Sequence, residues 1–200
     1  DSLVDIEAAG PLLRQRLQSG SQVLVLPGFY GRNAKGQIQL LGRNGTDYSA
    51  AAVAAALGAG LCQIWKDVDG FFTADPRIVS NARCLEEVSY DEAMELTYFG
   101  AKVISAKALT PLAANNIPCE VRNTYDPAQP GTLVHSQAKR THVVRGISHL
   151  HDVSSITLQG GGLRGRVGIA RRVMDALASE AISILLIVQS SSEYSSTLCL

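Results

Sequence analysis

The sequence has no net charge, no closely spaced cysteines and no long hydrophobic run, and each absence excludes a class of protein. It carries 18 Lys plus Arg against 18 Asp plus Glu in 200 residues, so we expect no nucleic-acid partner. The four cysteines include no CxxC pair, which indicates free thiols in a reducing, cytoplasmic compartment. The longest apolar run, residues 49–59, is too short to span a bilayer, so we expect no membrane association.

Apolar runs alternate with helix-like segments over the first 134 residues. The predicted strands are residues 22–26, 37–41, 61–65 and 117–121, and the predicted helices are residues 11–17, 47–57, 89–99 and 105–115. Ser89 followed by Glu92 is typical of a capping box, and Gly100 supplies the helix end. The alternation predicts an α/β fold with a parallel sheet covered on both faces, in three layers.

A change of composition predicts a domain boundary. Residues 123–140 are rich in Pro, Gln, Ser and charge, so we assign domains to residues 1–134 and 143–200, with 135–142 as linker. The second domain is predicted to contain strands at 153–158, 182–188 and 195–200 and a helix at 168–178. This β-α-β-β order is most of a ferredoxin-like unit.

Residues 1–7 are acidic and unlike a signal peptide. The chain starts with Asp1 and stops inside this unit, so we expect the natural protein to extend beyond both ends.

The segment 42–47 is a candidate anion site. A strand leading through a glycine-rich turn into a helix presents free N–H groups and the positive helix end to a ligand. Arg43 adds a guanidinium suited to carboxylate or phosphate, Thr46 adds a hydroxyl, and Asp47 adds an acid. An equally open interpretation is that Thr46 or Asp47 only caps the helix and that Arg43 is a solvated surface charge.

A second candidate site follows the predicted strand 61–65. Ligands of open α/β sheets lie beyond the carboxyl ends of the strands, where Asp67 and Asp69 could hold Mg²⁺ or a ribose. Arg77 and Lys102 could neutralise phosphate oxygens. Taken singly, such residues are more often turn residues or favourable charges at a helix end.

Residues 160–165, GGGLRG, satisfy the dinucleotide pattern G-x-G-x-x-G between a predicted strand and helix. That pattern also needs an acid at the end of the next strand, but residues 182–188 are followed by Gln189 and serines. We therefore disfavour an NAD site here, and the β-α-β-β order accounts better for this loop.

Four long segments carry a resemblance to a known family. They read, in order, GRNGTDYSAAAVAAALGA, IWKDVDGFFTADPR, SYDEAMELTYFGAKVI and NTYDPAQPGTLV. Their order and spacing resemble aspartate kinases, most of all the threonine-sensitive bifunctional aspartate kinase–homoserine dehydrogenases. The tail from residue 146 onward looks like the first ACT repeat of the same enzymes. The match covers nearly the whole chain.

The resemblance implies the C-terminal half of an amino-acid kinase (carbamate kinase-like) domain followed by a partial ACT domain. It also implies transfer of the ATP γ-phosphoryl group, with Mg²⁺, to the side-chain carboxylate of L-aspartate, the first step toward threonine, methionine and lysine. Such transfer depends mostly on positioning and charge neutralisation. The matching positions are catalytic Asp47; aspartate-binding Arg43, Asn44, Gly45 and Thr46; nucleotide-binding Lys66, Asp67, Phe72, Arg77, Lys102 and Val103; and effector-binding Gly165, Gly168, Ile184 and Gln189.

Some positions depart from the family pattern. Residue 66 is Lys where the family usually has Thr or Ser, and Ser105-Ala106 replaces a usual His-Pro. The family's N-terminal Lys-Phe-Gly-Gly-type segment, whose lysine meets the transferring phosphate, is absent, so we expect the isolated 200-residue chain to be inactive. These departures keep open an alternative: a non-catalytic subunit that senses an amino acid or pairs with an active partner. Under either interpretation the resemblance implies an amino-acid effector, threonine before lysine, and a homodimer formed through the ACT domains.

Overall fold

The chain divides into two compact units, Asp1–His149 and Leu150–Leu200. The structure is a computed structural model that describes residues 2–18, 23–101, 103–139, 142–163, 165–191 and 194–200. The first unit contains a two-stranded and a four-stranded sheet, and the second contains a three-stranded sheet. Among the residues described, none of the helices is long and apolar enough to span a membrane.

The first unit follows the predicted alternation of strands and helices. Its elements are α1 (Ile6–Gln18), β1 (Tyr30–Arg32), β2 (Ile38–Leu40), α2 (Gly45–Leu57), β3 (Cys62–Lys66), β4 (Glu87–Val88), α3 (Tyr90–Tyr98), α4 (Ala106–Ala114), β5 (Cys119–Asn123) and β6 (Thr132–Val134). Strands β1 and β2 form an antiparallel hairpin. The larger sheet has the order β3-β5-β6-β4. Its β3–β5 and β4–β6 pairs are parallel and its β5–β6 pair is antiparallel, so the sheet is mixed rather than wholly parallel.

Local sequence explains where two of the helices begin and end. The predicted capping box is present: the Ser89 hydroxyl accepts from the Glu92 N–H, and the Glu92 carboxylate accepts from the Ser89 N–H. Helix α2 is alanine-rich, so it lies close to its neighbours, and Gly58 ends it in the left-handed conformation.

The core of the first unit lies on one face of the four-stranded sheet. Cys62 and Ile64 of β3 are buried among side chains of α2 and α4, whereas Gln63 and Trp65 between them are exposed. On the exposed side the Arg122 guanidinium stacks over the Trp65 ring at 5.3 Å. On β3 the face toward α2 and α4 is therefore covered, whereas the opposite face is partly exposed. The prediction of free thiols is confirmed for all four cysteines.

The predicted strand at residues 22–26 is wrong. Residue 22 lies outside the described part of the chain, and residues 23–26 belong to no strand. Val23 and Val25 are 77% and 87% exposed. A strand needs a hydrogen-bonding neighbour, and no described strand pairs with this segment. The short strands β1, β4 and β6 were missed because two or three residues are too few to show a period.

The second unit has the predicted β-α-β-β order. Its elements are β7 (Ser155–Gln159), α5 (Ile169–Ser179), β8 (Leu186–Gln189) and β9 (Ser195–Cys199). Strand β9 is central and pairs antiparallel with both β7 and β8. Leu198 of β9 is buried, whereas all four residues of β8 are exposed and none of α5 is buried.

Candidate functional site

The two candidate sites of the first unit meet through one ion pair. Lys66 is the last residue of β3, and Asp47 lies in the first turn of α2. The Lys66 ammonium donates to the Asp47 carboxylate at 2.7 Å, and the two side chains are 21% and 14% exposed. The carboxyl end of a strand and the amino end of a helix thus form a single polar site, as expected for a ligand site in an α/β fold.

The glycine-rich turn before α2 has a backbone that favours small residues. Gly42 and Asn44 have φ values of 82° and 58°, and a Cβ on Gly45 would lie 3.1 Å from both Leu41 and Phe29. Asn44 occupies the N-cap position, but its side chain makes no capping hydrogen bond. The Gly45 N–H donates to the Gly42 carbonyl at 3.0 Å, and the absence of an Asn44 side-chain cap leaves the rest of the helix start open to an anion.

The residues predicted to bind aspartate surround this helix start. Neither Thr46 nor Asp47 occupies the N-cap position, which belongs to Asn44, and the Asp47 carboxylate is engaged by Lys66. The capping alternative is therefore not what the structure shows. Arg43, Asn44 and Thr46 are exposed, and Gly45 is buried.

A cavity of about 380 Å³ lies beside the polar site and is lined by residues of the first unit. Four predicted nucleotide-binding residues line it together: Asp67, Phe72, Arg77 and Val103. Lys102 lies outside the described residues. The cavity wall also includes Ile147, Ser148 and His149, which sequence reasoning did not select.

Arg77 is held at the cavity by a neighbouring carboxylate. Its Nε and Nη2 donate to Asp75 Oδ1 and Oδ2 at 3.0 and 2.7 Å, a bidentate geometry specific to guanidinium and carboxylate. Hydrogen bonds from the Arg77 side chain and backbone lower the pKa of Asp75 to about 2. Arg77 is therefore oriented at the rim before any phosphate arrives.

The loop that carries Phe72 is fastened to the sheet by a buried hydroxyl. Thr132 Oγ1 accepts from the Phe71 N–H at 2.9 Å and donates to the Leu85 carbonyl at 2.6 Å, and Thr132 is fully buried. Gly70 has φ 143°, and a Cβ there would lie 2.3 Å from the same hydroxyl. The close approach explains the glycine, and the hydroxyl positions the cavity wall.

The carboxylates near the cavity differ in their availability to a metal ion. Asp69 accepts a hydrogen bond from the Asn123 amide at 2.7 Å, and Asp47 is paired with Lys66. Asp67 is exposed at the cavity. Within the described ranges no group of three His, Cys, Asp or Glu side chains is placed to hold a metal. This donor set fits Mg²⁺ that arrives with a nucleotide and needs one or two protein carboxylates.

Comparison with known proteins identifies the family. Residues 4–123 match the amino acid kinase family model. The chain belongs to the amino acid kinase family. Residues 156–200 match an ACT domain, so the prediction of an amino-acid kinase fold followed by an ACT domain is confirmed.

Curated proteins similar to this chain include bifunctional aspartokinase/homoserine dehydrogenases. The chain is 46% identical over 200 residues to the bifunctional aspartokinase/homoserine dehydrogenase of Haemophilus influenzae, covering 100% of this chain and 24% of the relative. It thus spans about a quarter of that protein.

Two solved structures of E. coli aspartokinase III are also similar, each at 35% identity. The complex with lysine and aspartate has a TM-score of 0.79, and the match covers 99% of this chain and 44% of the aspartokinase III chain. The complex with aspartate and ADP has a TM-score of 0.75 and covers 98% and 44%.

The predicted effector residues of the ACT domain occupy its loops and one strand end. Gly165 and Gly168 have φ values of 65° and 86°, and Gly168 is the N-cap of α5. Ile184 precedes β8, and Gln189 ends β8 opposite Ser196. Their role in binding an effector stays a prediction.

Proposed function

We propose that this amino acid kinase chain is the nucleotide-binding part of an aspartate kinase. The reaction transfers the γ-phosphoryl group of ATP to the side-chain carboxylate of L-aspartate and yields 4-phospho-L-aspartate and ADP. The observation that supports it most is the cavity of about 380 Å³ that brings Asp67, Phe72, Arg77 and Val103 together. Asp67 directly follows β3, whose last residue, Lys66, contacts Asp47 at the anion-binding turn.

Each part of the site has a role in this proposal. The open helix start with Arg43, Asn44, Gly45 and Thr46 holds L-aspartate, and Asp47 organises the point of transfer. The cavity residues Asp67, Phe72, Arg77 and Val103, with Lys102, take the ATP. Asp67 would hold the Mg²⁺ that accompanies ATP, and this ion would neutralise phosphate charge. Phosphoryl transfer needs mostly positioning and charge neutralisation, which these groups supply.

The ACT domain supports regulation by an amino acid. We propose threonine as the effector and a cytoplasmic homodimer that forms through the ACT domains. Strand β8 is an edge strand with exposed Leu186, Ile187 and Val188, which suits edge-to-edge pairing. The lysine in the E. coli aspartokinase III complex makes lysine the competing effector.

Aspartate-dependent ADP release tests the proposal. The assay is run with and without threonine on the natural protein that contains this chain. We expect activity that threonine suppresses, loss of activity in Asp47→Asn, and retention in Asp126→Asn, an exposed acid outside the site. Activity that persists in Asp47→Asn would contradict the assigned role of that residue.

The alternative is a non-catalytic sensing or partner subunit. It is favoured by one observation: Lys66 stands where the resemblance has Thr or Ser, and its ammonium occupies the Asp47 carboxylate. Calorimetric titration of the chain with ADP, L-aspartate and threonine separates the two proposals. Threonine binding without ADP or aspartate binding would favour the subunit, whereas ADP binding would favour the kinase.

A further inference from the structure

The nucleotide cavity is closed on one side by the segment that leads out of the first unit. Residues 145–149, here called the strap, are the last five residues of that unit. Ile147, Ser148 and His149 of the strap line the cavity together with Phe72 and Arg77. The strap lies about seventy residues from these partners in sequence, so tertiary contacts hold it in place.

Arg145 anchors the start of the strap. Its Nη1 donates to the Lys139 carbonyl at 2.6 Å, its Nη2 donates to the Glu87 carbonyl, and Nη1 lies 3.7 Å from the Glu92 carboxylate. The side chain is 11% exposed. Glu92 is itself fixed in the capping box of α3. A guanidinium with several fixed acceptors is a rigid attachment, because its planar fork binds in one orientation.

The next residues fit closely against the cavity wall. A Cβ on Gly146 would lie 3.1 Å from Leu96 Cδ2 and 3.4 Å from the Phe72 carbonyl oxygen, and both neighbours line the cavity. The Ile147 N–H donates to the Thr73 carbonyl at 2.9 Å. The strap therefore continues the Phe72–Thr73 backbone as one wall.

Ile147 is the one residue of the strap that is classed as exposed. Its side chain is 67% exposed although it lines the cavity. An apolar side chain in this position gains burial when a ligand fills the cavity.

We propose that the strap is a wall of the nucleotide site, that Ile147 contacts the nucleoside end of ATP, and that Arg145 is a positioning residue for that contact. The inference rests on the proposed function. The nucleoside end is specified because the strap packs against Phe72, whose aromatic ring suits stacking on a base, whereas Arg77 in the same wall suits the phosphates. The Lys66–Asp47 pair is not part of the cavity wall, so the point of transfer is separate from the strap.

Titration of the full chain with MgADP in a calorimeter tests the strap. We expect Ile147→Ala to raise the Kd about fivefold through lost apolar contact. The matched control Val143→Ala removes an exposed apolar side chain two residues before Arg145 that does not line the cavity, and should leave the Kd unchanged.

Arg145 is tested by a graded pair of variants. Arg145→Gln should raise the Kd for MgADP about tenfold, and Arg145→Lys should recover part of the loss because it keeps the charge without the fork. In the natural protein, both Arg145→Gln and Ile147→Ala should raise the KM for ATP while the KM for aspartate and kcat stay constant. A purely structural role of Arg145 would lower kcat and affect both substrates.

The possible outcomes distinguish the proposed role of the strap from the proposed function of the chain. Failure of the unaltered chain to bind MgADP would overturn both. Tight MgADP binding that Ile147→Ala leaves within twofold would overturn the strap and retain the kinase site. Because Ile147 is largely exposed, its truncation leaves the fold intact, so the result stands even if Arg145→Gln unfolds.

Discussion

The Lys66 ammonium lies 2.7 Å from the Asp47 carboxylate, so the charge of the proposed catalytic acid is balanced before any ligand binds. The two residues belong to different elements, the end of β3 and the first turn of α2. The pair therefore fixes the helix start against the sheet as well as setting the local charge. A Thr or Ser at position 66, as in the resemblance, would leave Asp47 without this partner.

Replacement of Lys66 should lower the stability of the fold because it removes this ion pair. We expect Lys66→Met to lower the free energy of unfolding by about 1–2 kcal/mol, because it leaves a largely buried carboxylate unpaired. A double-mutant cycle with Asp47→Asn should give a coupling of about 1 kcal/mol in urea denaturation. Lys35→Met, at an exposed turn, is the control and should change stability little. Additive effects of the two substitutions would show that the pair contributes nothing.

Thr132 should be sensitive to loss of its hydroxyl. Thr132→Val leaves the buried Phe71 N–H and Leu85 carbonyl without their partner, so we expect a loss of about 1–3 kcal/mol in the free energy of unfolding. Thr132→Ser keeps the hydroxyl and should lose much less. Because the loop carries Phe72, Thr132→Val should also weaken ADP binding. Equal stabilities of the Val and Ser variants would contradict this account.

The Asp75–Arg77 pair should make the folding stability of the protein depend on pH under acidic conditions. The pKa of Asp75 falls from 3.8 to about 2 on folding, first through the Arg77 side-chain hydrogen bonds. A carboxyl with a lowered pKa stabilises the fold above its unfolded pKa, and the contribution is lost as pH falls from about 4 to 2. Urea midpoints should therefore fall more steeply over this window for the unaltered chain than for Asp75→Asn. Parallel curves for the two proteins would exclude the pair as a source of acid sensitivity.

The exposed strand β8 should carry the proposed dimer contact. Ile187→Lys places a charge in an exposed apolar edge, which should shift the protein toward monomer in sedimentation velocity. Val143→Lys adds the same charge at an exposed site in the first unit and should leave the oligomeric state unchanged. A dimer that survives Ile187→Lys would place the contact elsewhere.

Local signals in the sequence predicted most elements of the fold. The capping box at Ser89 and Glu92 gave the start of α3, and the alanine-rich run gave α2 to within two residues. The strand prediction for residues 22–26 was wrong because an apolar run shows that a segment is hydrophobic, but not whether another strand lies beside it. The mixed character of the sheet was missed for a similar reason, because an apolar run does not show that β5 and β6 pair antiparallel.

The site was predictable where motifs were local and unpredictable where it depends on distant contacts. The rule that ligands gather beyond strand ends predicted a site after residues 61–65, but not the ion pair that joins Lys66 to Asp47. The strap carries no motif, and its contacts with Phe72 and Thr73 span about seventy residues. Only the folded chain shows that Ile147 reaches the cavity.

The open side of β3 has a consequence for handling the protein. Among the described strands β3 lies at the edge of its sheet, with Trp65 partly exposed, and the same unit exposes Val23 and Val25. An unpaired strand edge and exposed apolar side chains favour the addition of a further strand from another molecule. Preparations of the 200-residue chain should therefore aggregate with increasing concentration, and a charged residue in place of Val25 should improve its solubility.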